Sequence, residues 1–400
     1  MYTPRSNWVL FGLYSLISIA VFIAALVSPM VRGFAYAPLR ELLAPPPKPV
    51  EISLIYSTEK EDWLKEAILS FEKTNPRVAG RPIHIQTQAM GSREMVLAVL
   101  DGQQKPVLIS PASSLQTTVL EDQSRGKFGQ AVVEAKNAAS CRPVVNSPLV
   151  LVAWKERAQA LWGGAPGADI WRQIHDAAID SQGWGRFGHP DWGYVKFGQT
   201  DPLKSNSGFM AILLMTYNYF GKTSGLTAQD ILSNQDYQKW FLGLEGTISQ
   251  FGESTGTYMK DIVAYGPSVY DMVAVYEASA IEQADNAVGR YGELHVYYPP
   301  ATIVSDHPFC VLQADWVQPE QARAAGLFVD YLLSRSMQAL AMDRYGFRPA
   351  DGSIALTDAG SPWQRYAQNG LTAALPPQVE LPPANVLSTL LDFWSRNVSH

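Results

Sequence analysis

From residue 8 to residue 31 the chain carries no charged side chain and reads WVLFGLYSLISIAVFIAALVSPMV. A helix needs about 20 apolar residues to cross the ~30 Å hydrocarbon layer, so the run is long enough to span it. A buried core helix of that length would normally carry some charge. A cleavable secretory signal has a shorter apolar core, roughly 7–15 residues, and a small-x-small cleavage site. The one tidy A-x-A, Ala35-Tyr36-Ala37, is followed by Pro38, a poor residue after a cut. The run therefore predicts an uncleaved signal anchor, a transmembrane helix over 8–31 behind an N-terminal flank at 1–7. Arg5 precedes it and Arg32 and Arg40 follow it, so the flanking charges do not fix its orientation. Residues 32–50 form a linker whose Ala44-Pro45-Pro46-Pro47-Lys48-Pro49 stretch is stiff and extended. Anchor, spacer and body in that order predict a single-pass cell-membrane protein with its globular domain in the periplasm or extracellular space.

The body is large enough for a sizeable core: the chain has 400 residues, 47% of them apolar. That length suggests two domains or one double-lobed unit. A net charge of -6 excludes a basic nucleic-acid-binding face. The only cysteines, Cys141 and Cys310, show no zinc-ligand spacing and are either two thiols or one disulfide. An extracytoplasmic location favours the bridge.

Just after the linker, residues 51–56 form an apolar, β-branched run that ends in Ser57-Thr58. Trp63, Leu64, Ala67, Ile68 and Phe71 then recur at helical spacing, with Thr58 and Glu61 as a capping box. A second strand at 83–87 leads to a helix at 92–100, and a third at 106–110 leads through Ser113-Ser114 to another. Farther on, 144–153 is a long extended run broken by Pro148, and 192–197 can form a strand. Polar loop 200–208 precedes an apolar helix at 209–220, strand 272–277 precedes a helix, and 302–312 is again extended. This alternation predicts an α/β body with a largely parallel sheet.

Four of these junctions end in small hydroxyl, amide or polar residues: Ser57-Thr58, Ser113-Ser114, Ser205-Asn206-Ser207 and Tyr276-Glu277. In open parallel sheets, ligands bind beyond the carboxyl ends of the strands, where helix-start N–H groups point outward. Each residue taken singly could equally cap its own helix. Four such junctions in one chain suggest a shared cleft.

The segments TDPLKSNSGFMAILLM (200–215), MVAVYEASAI (272–281), ATIVSDHPFCVLQADW (301–316) and FVDYLLSRSMQALAMDRYGFRPA (328–350) resemble bacterial extracellular solute-binding proteins of the type 2 periplasmic-binding-protein fold. The nearest branch is the molybdate-type substrate-binding group of ABC transporters. The resemblance runs from about residue 51 to the C-terminus. It implies two α/β lobes joined by two hinge strands, here 144–153 and 301–312, with lobe 1 formed by 51–146 and 305–400 and lobe 2 by 147–304. It places the ligand contacts on Ser57, Thr58, Ser113, Ser114, Ser147, Asn206, Ser207, Tyr276 and Glu277. It also sets Cys141 and Cys310 beside the two hinge strands, where they could pair. The implied ligand is a small molecule or ion held by hinge closure, with no cofactor and with an ABC permease as partner. Glu277 facing the cleft would repel an anion unless a cation such as Lys204 compensates; otherwise it caps the next helix.

Two other readings compete. A sensing or interaction module would keep the same fold without transport. A hydrolase would need a nucleophile elbow at the end of a strand, and Ser207 in SNSG does not match one. The histidines in His189-x-Asp191 and Asp306-His307 are expected in turns or at the surface. Glu59, Glu61 and Asp62 are expected to serve a helix dipole. The chain thus reads as a binding protein and not an enzyme.

Overall fold

A computed structural model describes residues 5–27, 47–164 and 166–398. It divides into a unit at Met1–Lys48 and a unit at Pro49–His400. In the first, the helix Arg5–Val27 exposes large apolar side chains from Trp8 to Ile23. Its side chains are described over residues 8–24, and among the described residues no helix is long and apolar enough to cross a membrane. Most of the Pro-rich linker lies outside the described residues.

The second unit is built on two sheets. The first has the order β2-β3-β1-β4-β11-β5, with β1 Val50–Ser57, β2 Arg77–Val78, β3 Arg81–Met90, β4 Leu108–Ser110, β5 Cys141–Pro143 and β11 Pro308–Val311. Strand β1 runs parallel to β3 and β4, and β11 runs antiparallel to β4 and β5. The helix Glu61–Lys73 buries Trp63, Leu64, Ala67, Ile68 and Phe71, the residues its spacing singled out. Its start differs from the sequence reading. Thr58–Lys60 form a 3-10 turn, and the helix begins at Glu61 after Lys60 without a side-chain cap, so the Thr58–Glu61 capping box does not form.

In the second sheet β6 (Val145–Trp154) pairs with β8 (Met272–Tyr276), β9 (Leu294–Tyr297), β10 (Val304–Ser305) and β12 (Arg348–Pro349), and β7 (Phe197–Gly198) pairs with β8. Only β7–β8 is parallel, so this sheet departs from the largely parallel expectation: β6 enters it running against all four of its neighbours. Strand β8 buries all five of its residues. The strand expected at 192–197 shrinks to β7. Trp192 instead ends a 3-10 turn, with its ring stacked 3.8 Å from His189 and the Arg157 guanidinium 3.4 Å over it.

The chain passes from the first sheet to the second between β5 and β6, at Val144, and returns between β10 and β11, at Asp306-His307. Cys141 and Cys310 lie opposite each other in the β5–β11 ladder and are disulfide-bonded beside both crossings. The C-terminal helix Ala384–Asn397 packs against the helix Ala228–Ser233, and its Trp394 Nε1 donates to Glu245 Oε2 at 2.6 Å.

Candidate functional site

The carboxyl end of β1 and the return crossing meet in a buried polar cluster. Ser57 ends β1; its Oγ donates to Glu59 Oε1 and accepts from Lys60 Nζ. Lys60 Nζ also donates to Pro111 O at 3.3 Å and lies 3.2 Å from His307 Nδ1 and 3.5 Å from Glu59 Oε1. Glu59, Lys60 and His307 are all buried. Burial works against the Glu59 carboxylate, but Lys60, with His307 and Ser57, outweighs it and holds its pKa down at about 2. Burial pushes Lys60 down to about 8 despite Glu59, and burial together with Lys60 pushes His307 down to about 4. At neutral pH this is one ion pair beside a neutral imidazole.

Groups from the second sheet close on this cluster. Asn206, the first residue of the helix Asn206–Tyr219, donates from Nδ2 to Tyr276 Oη at 2.8 Å and accepts from Gln116 Nε2 at 3.0 Å. Gln116 belongs to the helix that follows β4, so this bond joins the two halves. Tyr276, at the end of β8, sets its ring edge-on to His307 with centroids 5.7 Å apart. Ser114 N donates to Asp306 Oδ1 at 2.7 Å, tying the Ser114–Phe128 helix start to the return crossing. Burial raises the Asp306 pKa against that bond.

The remaining sequence candidates have other partners. Ser113 caps its own helix through Leu115 N at 3.0 Å. Ser147 Oγ accepts from Ala278 N at 3.0 Å. Ser207 Oγ lies 2.7 Å from both Thr200 Oγ1 and Thr255 Oγ1, inside the second half. Thr58 Oγ1 accepts from Gly256 N at 3.4 Å. Glu277 is wholly buried and receives Arg348 Nε at 2.7 Å, Arg348 Nη2 at 2.8 Å and Trp363 Nε1 at 3.2 Å. The cation that compensates Glu277 is therefore Arg348 and not Lys204, whose Nζ pairs with exposed Glu253 at 3.2 Å.

The halves also meet backbone to backbone. Arg93 N and Glu94 N, at the start of the helix Ser92–Leu100, donate to Lys204 O at 3.1 and 3.3 Å. A Cβ on Gly91 would lie 2.5 Å from that carbonyl oxygen, and one on Gly256 would lie 2.9 Å from Thr58 C and O. Glycine at both places permits the approach.

Sequence reasoning missed Glu59, Lys60 and His307. His307 was expected in a turn or at the surface, and Glu59 beside a helix dipole, yet both are buried and in contact. The available signal was a charged pair placed directly after a strand that ends in serine. Among the described residues, no group of three or more His, Cys, Asp and Glu side chains could hold a metal ion.

Residues 52–348 match the family described as bacterial extracellular solute-binding protein. No curated protein matches the sequence. Several solved structures share the fold. The sulfate-binding protein SubI from Mycobacterium tuberculosis superposes with a TM-score of 0.53 at 16% identity, covering 82% of this chain and 93% of its own. Iron-bound HitA from Pseudomonas aeruginosa gives 0.56 at 15%, covering 88% and 100%. A periplasmic thiamin binding protein gives 0.60 at 13%, covering 89% and 100%. At such identities the likeness speaks for the fold alone, a two-lobed α/β periplasmic-binding architecture. The family match spans most of the chain and carries the assignment: this protein belongs to the bacterial extracellular solute-binding proteins.

Proposed function

We propose that the chain is a membrane-tethered solute-binding protein that captures a small polar or anionic ligand between its lobes by hinge closure and delivers it to an ABC permease. The observation that carries this reading is the convergence of buried polar groups from both sheets on the strand ends and the two crossings. The bond Gln116–Asn206 and the Tyr276–His307 contact lie between elements that a hinge motion would separate, and the bond Asn206–Tyr276 links them within lobe 2. A ligand that contacts both sides favours the closed state by its differential affinity. In this reading lobe 1 comprises 51–146 and 305–400 and lobe 2 comprises 147–304, with the C-terminal helix bracing lobe 2. Ser57, Thr58, Ser114, Asn206 and Tyr276 face the closed interface, while Ser113, Ser147, Ser207 and Glu277 shape it from behind. The ligands of the structural neighbours, sulfate, iron and thiamin, are chemically unrelated, so the fold leaves the ligand open.

The tether rests on the charge-free run 8–31 and on the apolar side chains that the first helix exposes. External protease added to intact spheroplasts should digest the body; protection of the body would refute this orientation. For binding, a ligand at 100 times its Kd should raise the unfolding free energy by roughly 2.7 kcal/mol. Asn206→Leu, which loses the Gln116 bond across the cleft and the Tyr276 bond within lobe 2, should abolish that gain. An undiminished gain in this variant would remove the Asn206 junction from the site.

A further inference from the structure

The chain crosses between its halves a third time. The helices Pro319–Leu332 and Arg335–Tyr345 pack on the first sheet, with Phe328 and Ala341 buried in one cluster with Ile52 and Leu54 of β1. Gly346 ends the second helix at φ 70°, a left-handed cap that glycine adopts without strain. It also lets the chain pass close to lobe 2, since a Cβ there would lie 2.5 Å from Ile281 Cβ. Next, Arg348 and Pro349 pair with Asn146 and Val145 of β6.

Past this crossing the chain is fastened mainly to lobe 2. Ile354, Trp363 and Leu371 are buried in one cluster with Val150, Val273 and Val275 of the second sheet. Asn369 Nδ2 donates to Leu294 O at 3.1 Å, and a Cβ on Gly370 would stand 2.2 Å from Val296 O of β9. Thr302 N donates to Pro377 O and Val379 N to Thr302 O, both at 2.9 Å, and Glu380 N donates to Thr223 O at 2.7 Å. The bonds back to lobe 1, from Ala350 N to Gln338 Oε1 and from Arg365 Nη2 to Asp343 O, lie close to the crossing. The last helix, Ala384–Asn397, is seated on lobe 2 by Trp394 on Glu245 and by Phe393 against Tyr237 and Phe241.

That helix also reaches lobe 1. It packs against the helix Ser114–Phe128. Its Asp392 is the charged neighbour of Arg93, the residue whose N–H meets Lys204 O. Leu115 and Leu120 of lobe 1, Phe209 and Phe241 of lobe 2, and Leu387 and Leu391 of the last helix belong to one buried apolar cluster. Parting the lobes here would expose apolar surface to water, which is unfavourable. An element fixed to one lobe and seated on the other opposes the motion that two hinge strands permit.

We infer that residues 348–398 form a strap carried by lobe 2, whose last helix clasps lobe 1 and holds the cleft closed, so that a solute enters and leaves only when the strap yields. The inference rests on the reading of the two halves as hinged lobes, and it moves 348–398 from lobe 1 to lobe 2.

The test puts spin labels on the full-length protein in detergent micelles, at Leu97→Cys on lobe 1 and Ile179→Cys on lobe 2, both exposed positions. The native cysteines are bonded to each other and take no label. Double electron–electron resonance then compares the label distance in the full chain, in a chain ending at Pro383, in Asp392→Lys and in Gly91→Ala. The full chain should show one short distance. Ending the chain at Pro383 should make a longer distance dominant. Asp392→Lys, at an exposed position, sets a like charge near Arg93 and should populate the longer distance in part. A folded Pro383 chain with the distance of the full chain overturns the inference. Where that chain does not fold, an unchanged distance in Asp392→Lys overturns it. Gly91→Ala separates the strap from the hinge: a longer distance in Gly91→Ala alone overturns the strap and leaves the hinge standing, and no longer distance in any of the three overturns both.

Discussion

Replacing Gly91 by alanine should open the cleft without loosening either lobe. Gly91 has φ −61° and ψ 143°, which alanine adopts freely, so the substitution brings no backbone strain. What it brings is a methyl carbon 2.5 Å from Lys204 O and 3.3 Å from Lys204 C, both backbone atoms that cannot swing aside. The nearest relief is to part the two segments, which breaks the bonds from Arg93 N and Glu94 N to that carbonyl. Each such bond contributes about 0.5–1.5 kcal/mol net, so the closed state loses about 1–3 kcal/mol. That corresponds to a roughly 5- to 150-fold fall in the closed-to-open ratio. Apparent ligand affinity falls by up to the same factor, because it scales with the closed fraction. Small-angle scattering should report a larger radius of gyration, while the unfolding midpoint barely moves because no core residue is touched. Gly126→Ala is the control: its added Cβ meets nothing within 4 Å, and its scattering should match the unmodified protein. A compact Gly91→Ala protein with unaltered scattering would refute the idea that this contact helps hold the halves together.

Three further outcomes follow from the buried charges and the bridge. Arg348→Leu strands the Glu277 carboxylate in the interior and should cost about 3–5 kcal/mol in urea unfolding, whereas Arg348→Leu with Glu277→Leu should recover much of it; equal loss in both proteins would contradict the pairing. Removing the Cys141–Cys310 bridge by a double serine substitution should lower stability by about 2–4 kcal/mol, since it releases a constraint between residues 169 apart in the chain. Glu245 is buried, with Gln199 and Trp394 as hydrogen-bond donors, and burial raises its pKa to about 8 against those bonds. Its folded form holds a proton that the unfolded chain releases near 4.5, the ordinary value of a glutamate. Its contribution is thus full below that value and is lost as pH rises through about 8, at up to about 1.4 kcal/mol per pH unit. Glu245→Gln should flatten this part of the stability profile, and an unchanged slope would place the titration elsewhere.

The parts of this molecule that could be read from sequence are those whose environment is made by chain neighbours. The apolar face of the helix Glu61–Lys73 is set by i, i+3 and i+4 spacing alone, and all five residues it singles out are buried. Strand β8 is equally direct, a short apolar run buried along its length. The buried charged cluster at the end of β1 has no such local origin. Lys60 and His307 are 247 residues apart, and Arg348 and Glu277 are 71 apart. Neither pair has a period, a spacing or a motif to announce it. Glu59-Lys60 reads locally as the solvated start of a helix, and it becomes a buried ion pair only because the return crossing lays His307 over it. The same crossing explains why the hydroxyl-rich junctions were an incomplete guide. Ser113 and Ser207 are consumed by capping and by hydroxyl bonds within their own half. His307 shows the same dependence on topology, since one ring nitrogen faces Lys60 and Glu59 and no described residue meets the other. Such a cluster is specified by where the chain crosses between its sheets, so its residues stay silent until the crossings are known.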